Sequence, residues 1–424
     1  MSKEILYNYT IGHFSFASCG NMSKSFVEAE IAKGQTASVI KLVAFIIEEA
    51  QELRASDIHI DPQNDMMRVR YRIDGYLKEY HILPPRLQQE IISRIKIIAG
   101  LRIDEHQTSQ DGRFRLILQA QPLDVRVSIA PTYYGENAVL RLLSDKAEAF
   151  TLESLGFSQA NAEKIRAAVK KPYGMILATG PTGSGKTTTL YTLLKALNTD
   201  EVSIITVEDP IEYAIGGIQQ IQVNPRTGLT FAAGLRSILR QDPNIIMVGE
   251  IRDEETAGIA VNSALTGHLV FSTLHTNDAA TTLPRLLDME VESYLIASTV
   301  NIVIGQRLVR KICPHCKTVR SITTAEIISL REIIADETLE RQKEFYFGKG
   351  CEKCNNTGYL GRIGIHEVLV PDAFLREAVL KKLTAGDIQR IAAERGMTTM
   401  IEDGFLKAQS GVTSIDEILR MLYE

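Results

Sequence analysis

Residues 180–188 read Gly-Pro-Thr-Gly-Ser-Gly-Lys-Thr-Thr, a run able to hold a polyanion. Gly180, Gly183 and Gly185 let the backbone wrap closely around an anion and turn its N–H groups inward. Pro181, Thr182 and Ser184 fill out the loop. Lys186 brings a point charge to the β- and γ-phosphates, and the Thr187 hydroxyl, with Thr188 behind it, reaches a Mg²⁺ ion. The apolar run Met175–Ala178 precedes the loop and a helix begins near Lys186, so the helix aims its positive end at the phosphates. The full G-x-x-x-x-G-K-[ST] pattern, set between a strand and a helix, predicts a site for a nucleotide such as ATP with its Mg²⁺.

A phosphate cradle alone only binds. Hydrolysis also needs a metal and a group that orients water. The apolar strand Asn244–Val248 runs into Gly249-Glu250-Ile251-Arg252-Asp253, and Glu250 is the candidate for positioning the attacking water. Gly249 stands where a metal-binding Asp is common, so another carboxylate is expected to help with the metal. Glu208, in Val207-Glu208-Asp209-Pro210, is the choice for it, while Asp209 before a proline suits a turn. The segment Thr266–Asp278 closes a third strand with His275, expected to sense the γ-phosphate or couple to it; His268 stands at the start of that strand.

These residues need a scaffold. After Lys170-Lys171-Pro172, strand patterns at 174–178, 203–207, 244–248 and 268–273 alternate with helical patterns at 186–197, 231–240, 253–265 and 278–288. Such alternation predicts a mainly parallel sheet covered by helices, with the chemistry on loops at the strands' C-terminal ends. Upstream, Ile40, Val43, Ile47, Ala50 and Leu53 recur at helical spacing, with Glu48, Glu49 and Glu52 among the polar positions. Met67, Val69, Tyr71 and Ile73 alternate with Arg68, Arg70, Arg72 and Asp74, and Asp74-Gly75 signals a hairpin. With a strand at 57–60, a helix at about 86–99 and alternating runs at 113–119, 123–129 and 138–143, this predicts a small α+β domain. Residues 1–35 show no clear periodicity and read as an arm.

The chain has 424 residues, enough for about three domains. Its net charge of −5 speaks against a general nucleic-acid binder. No stretch approaches the ~20 apolar residues that span a bilayer. Met1–Gly20 has no apolar core of a secretory signal, so a cytoplasmic location is expected, with any membrane association through a partner. Cys313-Pro314-His315-Cys316 and Cys351-Glu352-Lys353-Cys354 are two C-x-x-C pairs. Cys313, Cys316, Cys351 and Cys354 together fill a tetrahedral Zn²⁺ shell, which predicts a structural site with no position left for substrate. His315 is read as lying outside that shell, and Cys19 as an incidental thiol.

Gly180–Thr188, Val207–Glu212, Gly249–Asp253 and Thr266–Asp278 resemble, in order, the Walker A motif, Asp box, Walker B motif and His box of the type II secretion and type IV pilus assembly ATPases, within the secretion ATPase superfamily. The resemblance extends to Ala55–His59, Arg72–Gly75, Gln110–Phe114, the cysteine module and the C-terminal helices, about 36–424. It implies an α/β protein: an N-terminal arm 1–35, a PAS-like α+β domain 36–145, a RecA-like P-loop ATPase core 146–310, a tetracysteine zinc module 311–365 and a C-terminal helical region 366–424. It implies a homo-hexamer, with Arg236, Arg240 and Arg252 around the nucleotide and Arg72 and Arg113 completing the site when the domains close. It further implies that ATP hydrolysis powers pilin or pseudopilin assembly, or protein export, through an inner-membrane platform protein, and that the cysteine module marks extension rather than retraction. Relatives usually carry a further N-terminal domain that docks on an inner-membrane partner, whereas about 35 residues precede position 36 here. Docking through the cysteine module or the platform protein alone is therefore expected.

Two other readings compete. A nucleic-acid translocase on the same core is opposed by the acidic balance, the absence of Trp and the His and Asp boxes. A non-hydrolytic nucleotide-binding scaffold is opposed by Lys186, Thr187 and Glu250. No nucleic-acid partner is expected.

Overall fold

Alternating apolar residues and two amphipathic helices build the first of two units. The structure, a computed structural model, describes residues 22–118, 121–144, 150–331 and 344–423. One unit ends at Glu148 and the other begins at Ala149. Cys19, most of the expected arm and the expected boundary at 145/146 lie outside the described residues.

The first unit contains α1 (Met22–Ala32), α2 (Val39–Glu52), β1 (Ala55–Pro62), β2 (Met67–Ile73), β3 (Tyr76–Leu83), α3 (Gln88–Ile98), β4 (Gln110–Leu118), β5 (Gln121–Thr132) and β6 (Gly135–Ser144). The strands form one sheet in the order β3-β2-β1-β6-β5-β4, antiparallel throughout. Asp74 and Gly75 both take positive φ, 48° and 95°, as a two-residue hairpin turn matched to strand twist requires. Ile46 and Ile47 of α2 and Ile91 and Ile95 of α3 share a core with Ile58, Val69, Tyr71, Val127 and Leu140.

Two features depart from the sequence pattern. Helix α1 lies inside the stretch read as an arm; Val27 is buried and Phe26 stacks on Phe45 with ring centroids 5.5 Å apart. Glu49, read as a polar-face residue of α2, is 1 % exposed. Its carboxylate accepts from the Tyr71 hydroxyl at 2.7 Å and meets His81 Nε2 at 2.5 Å, and these partners make its burial tolerable. Glu49→Ala removes the group that both partners share. It is expected to destabilise this unit by roughly 2–3 kcal/mol, read as a lower midpoint in chemical denaturation.

The second unit runs α4 (Leu152–Leu155), α5 (Gln159–Val169), β7 (Gly174–Thr179), α6 (Lys186–Leu197), β8 (Ile204–Glu208), β9 (Gln219–Gln222), α7 (Phe231–Ile238), β10 (Ile245–Val248), α8 (Glu254–Leu265), β11 (Leu269–Leu274), α9 (Ala279–Asp288), α10 (Ser293–Thr299) and β12 (Val300–Ile312). There follow β13 (Lys317–Ser321), α11 (Thr324–Arg331), β14 (Glu344–Gly348), β15 (Tyr359–Leu369), α12 (Ala373–Leu380), α13 (Ala385–Glu394), α14 (Met400–Gln409) and α15 (Ile415–Tyr423). Seven strands form a sheet in the order β15-β12-β7-β11-β10-β8-β9. All neighbours are parallel except β12 with β15. Every residue of β7, β8, β10 and β11 is buried, because helices cover both faces. One face packs Leu235, Val261, Leu283 and Val379; the other packs Ile165, Leu190 and Leu194.

The mainly parallel, helix-covered sheet is present. The sequence pattern omits β9 and the long pair β12 and β15, and β15 brings residues from the stretch read as the cysteine module into the same sheet. Residues 149–424 fall in one compact unit.

Candidate active site

The parallel arrangement sets the ends of β7, β11, β10 and β8 side by side, and small polar residues stitch them together. The Thr179 hydroxyl, ending β7, bonds the Thr276 carbonyl at 2.9 Å beyond β11. Ser272 and Thr273 of β11 donate to the carbonyls of Val248 and Gly249 at 2.8 and 2.7 Å. The Gly249 N–H donates to Val207 of β8 at 2.8 Å. A Cβ at Gly249 would lie 3.3 Å from Glu208 Cα and from the Val207 carbonyl oxygen, so an acid at this point would press β8 aside by a few tenths of an ångström.

Gly180, Gly183 and Gly185 have φ of 142°, 80° and 89°, where side chains are strained. Lys186 is buried and its ammonium donates to the carbonyls of Gly180 at 2.8 Å and Pro181 at 3.0 Å. Burial pulls its pKa below the usual lysine range, while the Glu250 charge opposes that shift. Among the described residues the buried Ser184 hydroxyl has no hydrogen-bond partner. An anion seated on this loop supplies the oxygen that Ser184 lacks and that Lys186 takes from the loop itself. Pro181, Thr182 and Gly183 are exposed on the loop's rim; Thr187 and Thr188 are half-buried in the first turn of α6.

Glu250 is nearly buried in the loop after β10. His275 Nε2 meets one carboxylate oxygen at 2.9 Å and Arg252 Nη2 the other at 2.7 Å. The neighbouring acids explain why these two loops end where they do. Asp253 caps α8 through the Thr256 N–H at 2.8 Å, and Asp278 caps α9 through the Thr281 N–H at 2.7 Å. Each cap starts its helix just past the chemistry and leaves Glu250 and His275 on loops. His268 sits before β11, a full strand from His275, with Nδ1 on the Ser263 carbonyl at 3.0 Å, so it takes no part at this edge.

Glu208, expected to help with the metal, ends β8. It is 2 % exposed. One oxygen accepts from the Tyr191 hydroxyl, the other from Thr206 at 2.5 Å and Gln220 at 3.1 Å. Burial, and next the charge of Glu208, hold Tyr191 well above the usual tyrosine range, so it stays a donor. A carboxylate with both oxygens engaged tethers β8 to α6 and β9. Asp209 is exposed, ahead of a cis Pro210.

Arg236 and Arg240 are exposed at the end of α7. Among the described residues Arg236 pairs with Glu255 at 2.6 Å and Arg240 donates to the Arg236 carbonyl at 2.9 Å. In the first unit, Arg72 lies 3.6 Å from Asp57 and donates to the Gly75 carbonyl at 2.9 Å; Arg113 is exposed on β4. Strand register sets Arg72, Asp57, Arg141, Arg126 and Arg113 in one row across β2, β1, β6, β5 and β4. The sequence reading names only the two ends. Arg126 and Arg141 look like ordinary outward residues until the strands are paired, and like charges placed opposite one another are unfavourable without an anion or acid nearby.

The four cysteines of the two pairs converge, every Sγ within 4.8 Å of the others. Cys313–Cys351 and Cys316–Cys354 are 3.9 Å apart and Cys351–Cys354 3.7 Å. These distances exclude disulfides and match the about 3.8 Å edge of a tetrahedron with ~2.3 Å metal–sulfur bonds. Burial works against ionising Cys354, but the N–H groups of Cys351 and Gly358 point at its sulfur and bring its pKa down to about 6.

If Glu208 tethers strands, Glu208→Gln keeps an acceptor for Tyr191 and is expected to leave the Mg²⁺ dependence of ADP binding within about twofold, whereas Thr187→Val weakens it about tenfold or more. Calorimetric ADP titrations across Mg²⁺ concentrations check this; a larger shift in the Glu208 variant than in the Thr187 variant would restore Glu208 to the metal.

The profile of the family described as "Type II/IV secretion system protein" matches residues 32–420. Type II secretion system protein E of Xanthomonas campestris pv. campestris is 50 % identical over 397 residues, 93 % of this chain and 69 % of that protein. The type IV pilus assembly ATPase PilB of Thermus thermophilus is 47 % identical over 384 residues, 91 % of this chain but 43 % of its own length. Among solved structures, the pilus retraction motor PilT with bound ADP aligns with a TM-score of 0.61 at 27 % identity, covering 89 % of this chain and 95 % of PilT. The ATPase DotB of Legionella pneumophila shares the fold, with a TM-score of 0.65 at 22 % identity over 90 % of this chain and 95 % of DotB.

Proposed function

Because the chain belongs to the type II/IV secretion system protein family, we propose that it is an ATPase whose hydrolysis of ATP drives type II protein secretion or type IV pilus assembly. The observation that carries this reading is the placement of Glu250. Its carboxylate is held by His275 and Arg252 at the same sheet edge as the glycine loop, and its charge acts on Lys186. That edge unites a cradle for phosphates with a fixed base.

In this reading the N–H groups of the loop and the Lys186 ammonium bind the β- and γ-phosphates, the ammonium leaving the Gly180 and Pro181 carbonyls to do so. Thr187 holds magnesium, which when bound neutralises phosphate charge. Glu250 orients the attacking water, and His275 keeps the carboxylate aimed and responds when the γ-phosphate leaves. Arg252, Arg236 and Arg240 compensate charge on the transferring group. The first unit is read as PAS-like and the second as RecA-like, working as a homo-hexamer on an inner-membrane platform protein. No helix among the described residues is long and apolar enough to cross a membrane, so attachment through a partner at the inner membrane suits this reading. The four cysteines fit Zn²⁺, which when bound fixes the fold of its loops.

Two measurements test this. Glu250→Gln is expected to lower ATP turnover ~100-fold or more while ATP binding persists. Equal turnover in wild type and variant would refute the assignment, and stimulation of the wild type by single-stranded DNA would favour a translocase. Elemental analysis of purified protein is expected to give one zinc per chain, lost in Cys351→Ser/Cys354→Ser together with thermal stability; a zinc-free, equally stable wild type would refute the metal site.

A further inference from the structure

A backbone N–H points at an anion only when the carbonyl of the same peptide points away, because the trans peptide sets them on opposite sides. In the glycine loop the carbonyl before the Gly185 N–H belongs to Ser184, and one side chain holds it. Gln306 of β12 is 2 % exposed, and its Nε2 donates to that carbonyl at 2.6 Å. A carbonyl can only accept, so the amide's orientation is fixed: Nε2 faces Ser184 and Oε1 is left to accept from the Thr189 hydroxyl at 2.8 Å. Thr189 lies in the first turn of α6, so a single amide spans the loop and the helix it feeds.

The backbone agrees. Gly305 of β12 pairs with Thr179 of β7, which sets Gln306 level with Gly180. A Cβ at Gly180 would fall 2.3 Å from the Gln306 carbonyl oxygen, and one at Gly185 3.1 Å from its Nε2. The close approach of Gln306's backbone thus requires Gly180, and its amide leaves little room at Gly185, besides the positive φ of both.

We propose that Gln306 is a positioning residue for the phosphate loop: by holding the Ser184 carbonyl on the sheet side, it aims the Gly185 N–H at the β-phosphate of a bound nucleotide. This rests on the reading of Gly180–Thr188 as a phosphate cradle. A side chain that only packed the core would affect all nucleotides alike, whereas one that aims a β-phosphate donor discriminates ADP from AMP.

The test is calorimetric titration of ADP and of AMP, each with Mg²⁺, into the full chain. Gln306→Met keeps the length and removes both bonds; it is expected to weaken ADP about tenfold and leave AMP unchanged. Thr189→Val removes only the amide's second bond, leaving the Ser184 bond without that brace, and is expected to weaken ADP about threefold, again sparing AMP. If Gln306→Met does not fold, the ADP-to-AMP ratio of Thr189→Val decides. Lys186→Ala is the control for the cradle itself. Loss of ADP binding in Lys186→Ala with wild-type ADP binding in both other variants would overturn the role of Gln306 alone. Parallel weakening of ADP and AMP would also overturn it, as packing. Unaltered ADP binding in Lys186→Ala would overturn the cradle reading, and this inference with it.

Discussion

Several N–H groups can converge on one point only if a short backbone is bent into shapes that side chains resist and is held there before any anion arrives. The run from Gly180 to Lys186 meets that constraint with three positive-φ glycines, and the sheet beneath gives it a fixed base. Without a phosphate, the repulsion among convergent N–H dipoles needs an answer. Lys186 does not supply it, since it adds charge; the loop's own carbonyls are instead turned onto the buried ammonium. The site therefore holds its positive charge on contacts that a phosphate can replace.

The rest of the edge follows from parallel strands. Parallel pairing brings the ends of β7, β11, β10 and β8 into one line, and Thr179, Ser272, Thr273 and Thr276 bond across that line, tying the loops together. Glu250 takes its orientation from two cationic or polar partners rather than from burial alone. Beyond β11, the Ala279 N–H that starts α9 donates to Glu367 of β15 at 2.5 Å, and the Met400 N–H that starts α14 reaches the same carboxylate at 3.3 Å. One buried acid thus serves two helix N-termini, where negative charge is favoured. It joins the His275 loop to the C-terminal helices.

Much of the site is legible in the residue order because its chemistry is local. The glycines, Lys186 and Thr187 fall within eight positions, and Glu250 and His275 follow apolar strands directly. What is not legible is long-range. Gln306 is one amide in an apolar strand, 122 residues from the carbonyl it holds. Glu208 sits in a familiar motif, yet Tyr191 and Gln220, distant in sequence, occupy it. Arg126 and Arg141 acquire meaning only from register. Glu49 is polar by type and buried by circumstance, and β9, β12 and β15 join the sheet through pairings that periodicity does not encode.

In the proposed mechanism the glycine loop and Glu250 address the same phosphate chain from two sides. The most direct measurement is an experimental structure of Glu250→Gln with ATP and Mg²⁺ bound. The Lys186 ammonium is expected to have left the Gly180 and Pro181 carbonyls for phosphate oxygens, with a water between the γ-phosphate and the side chain at position 250. A nucleotide bound elsewhere, with Lys186 still on both carbonyls, would contradict it.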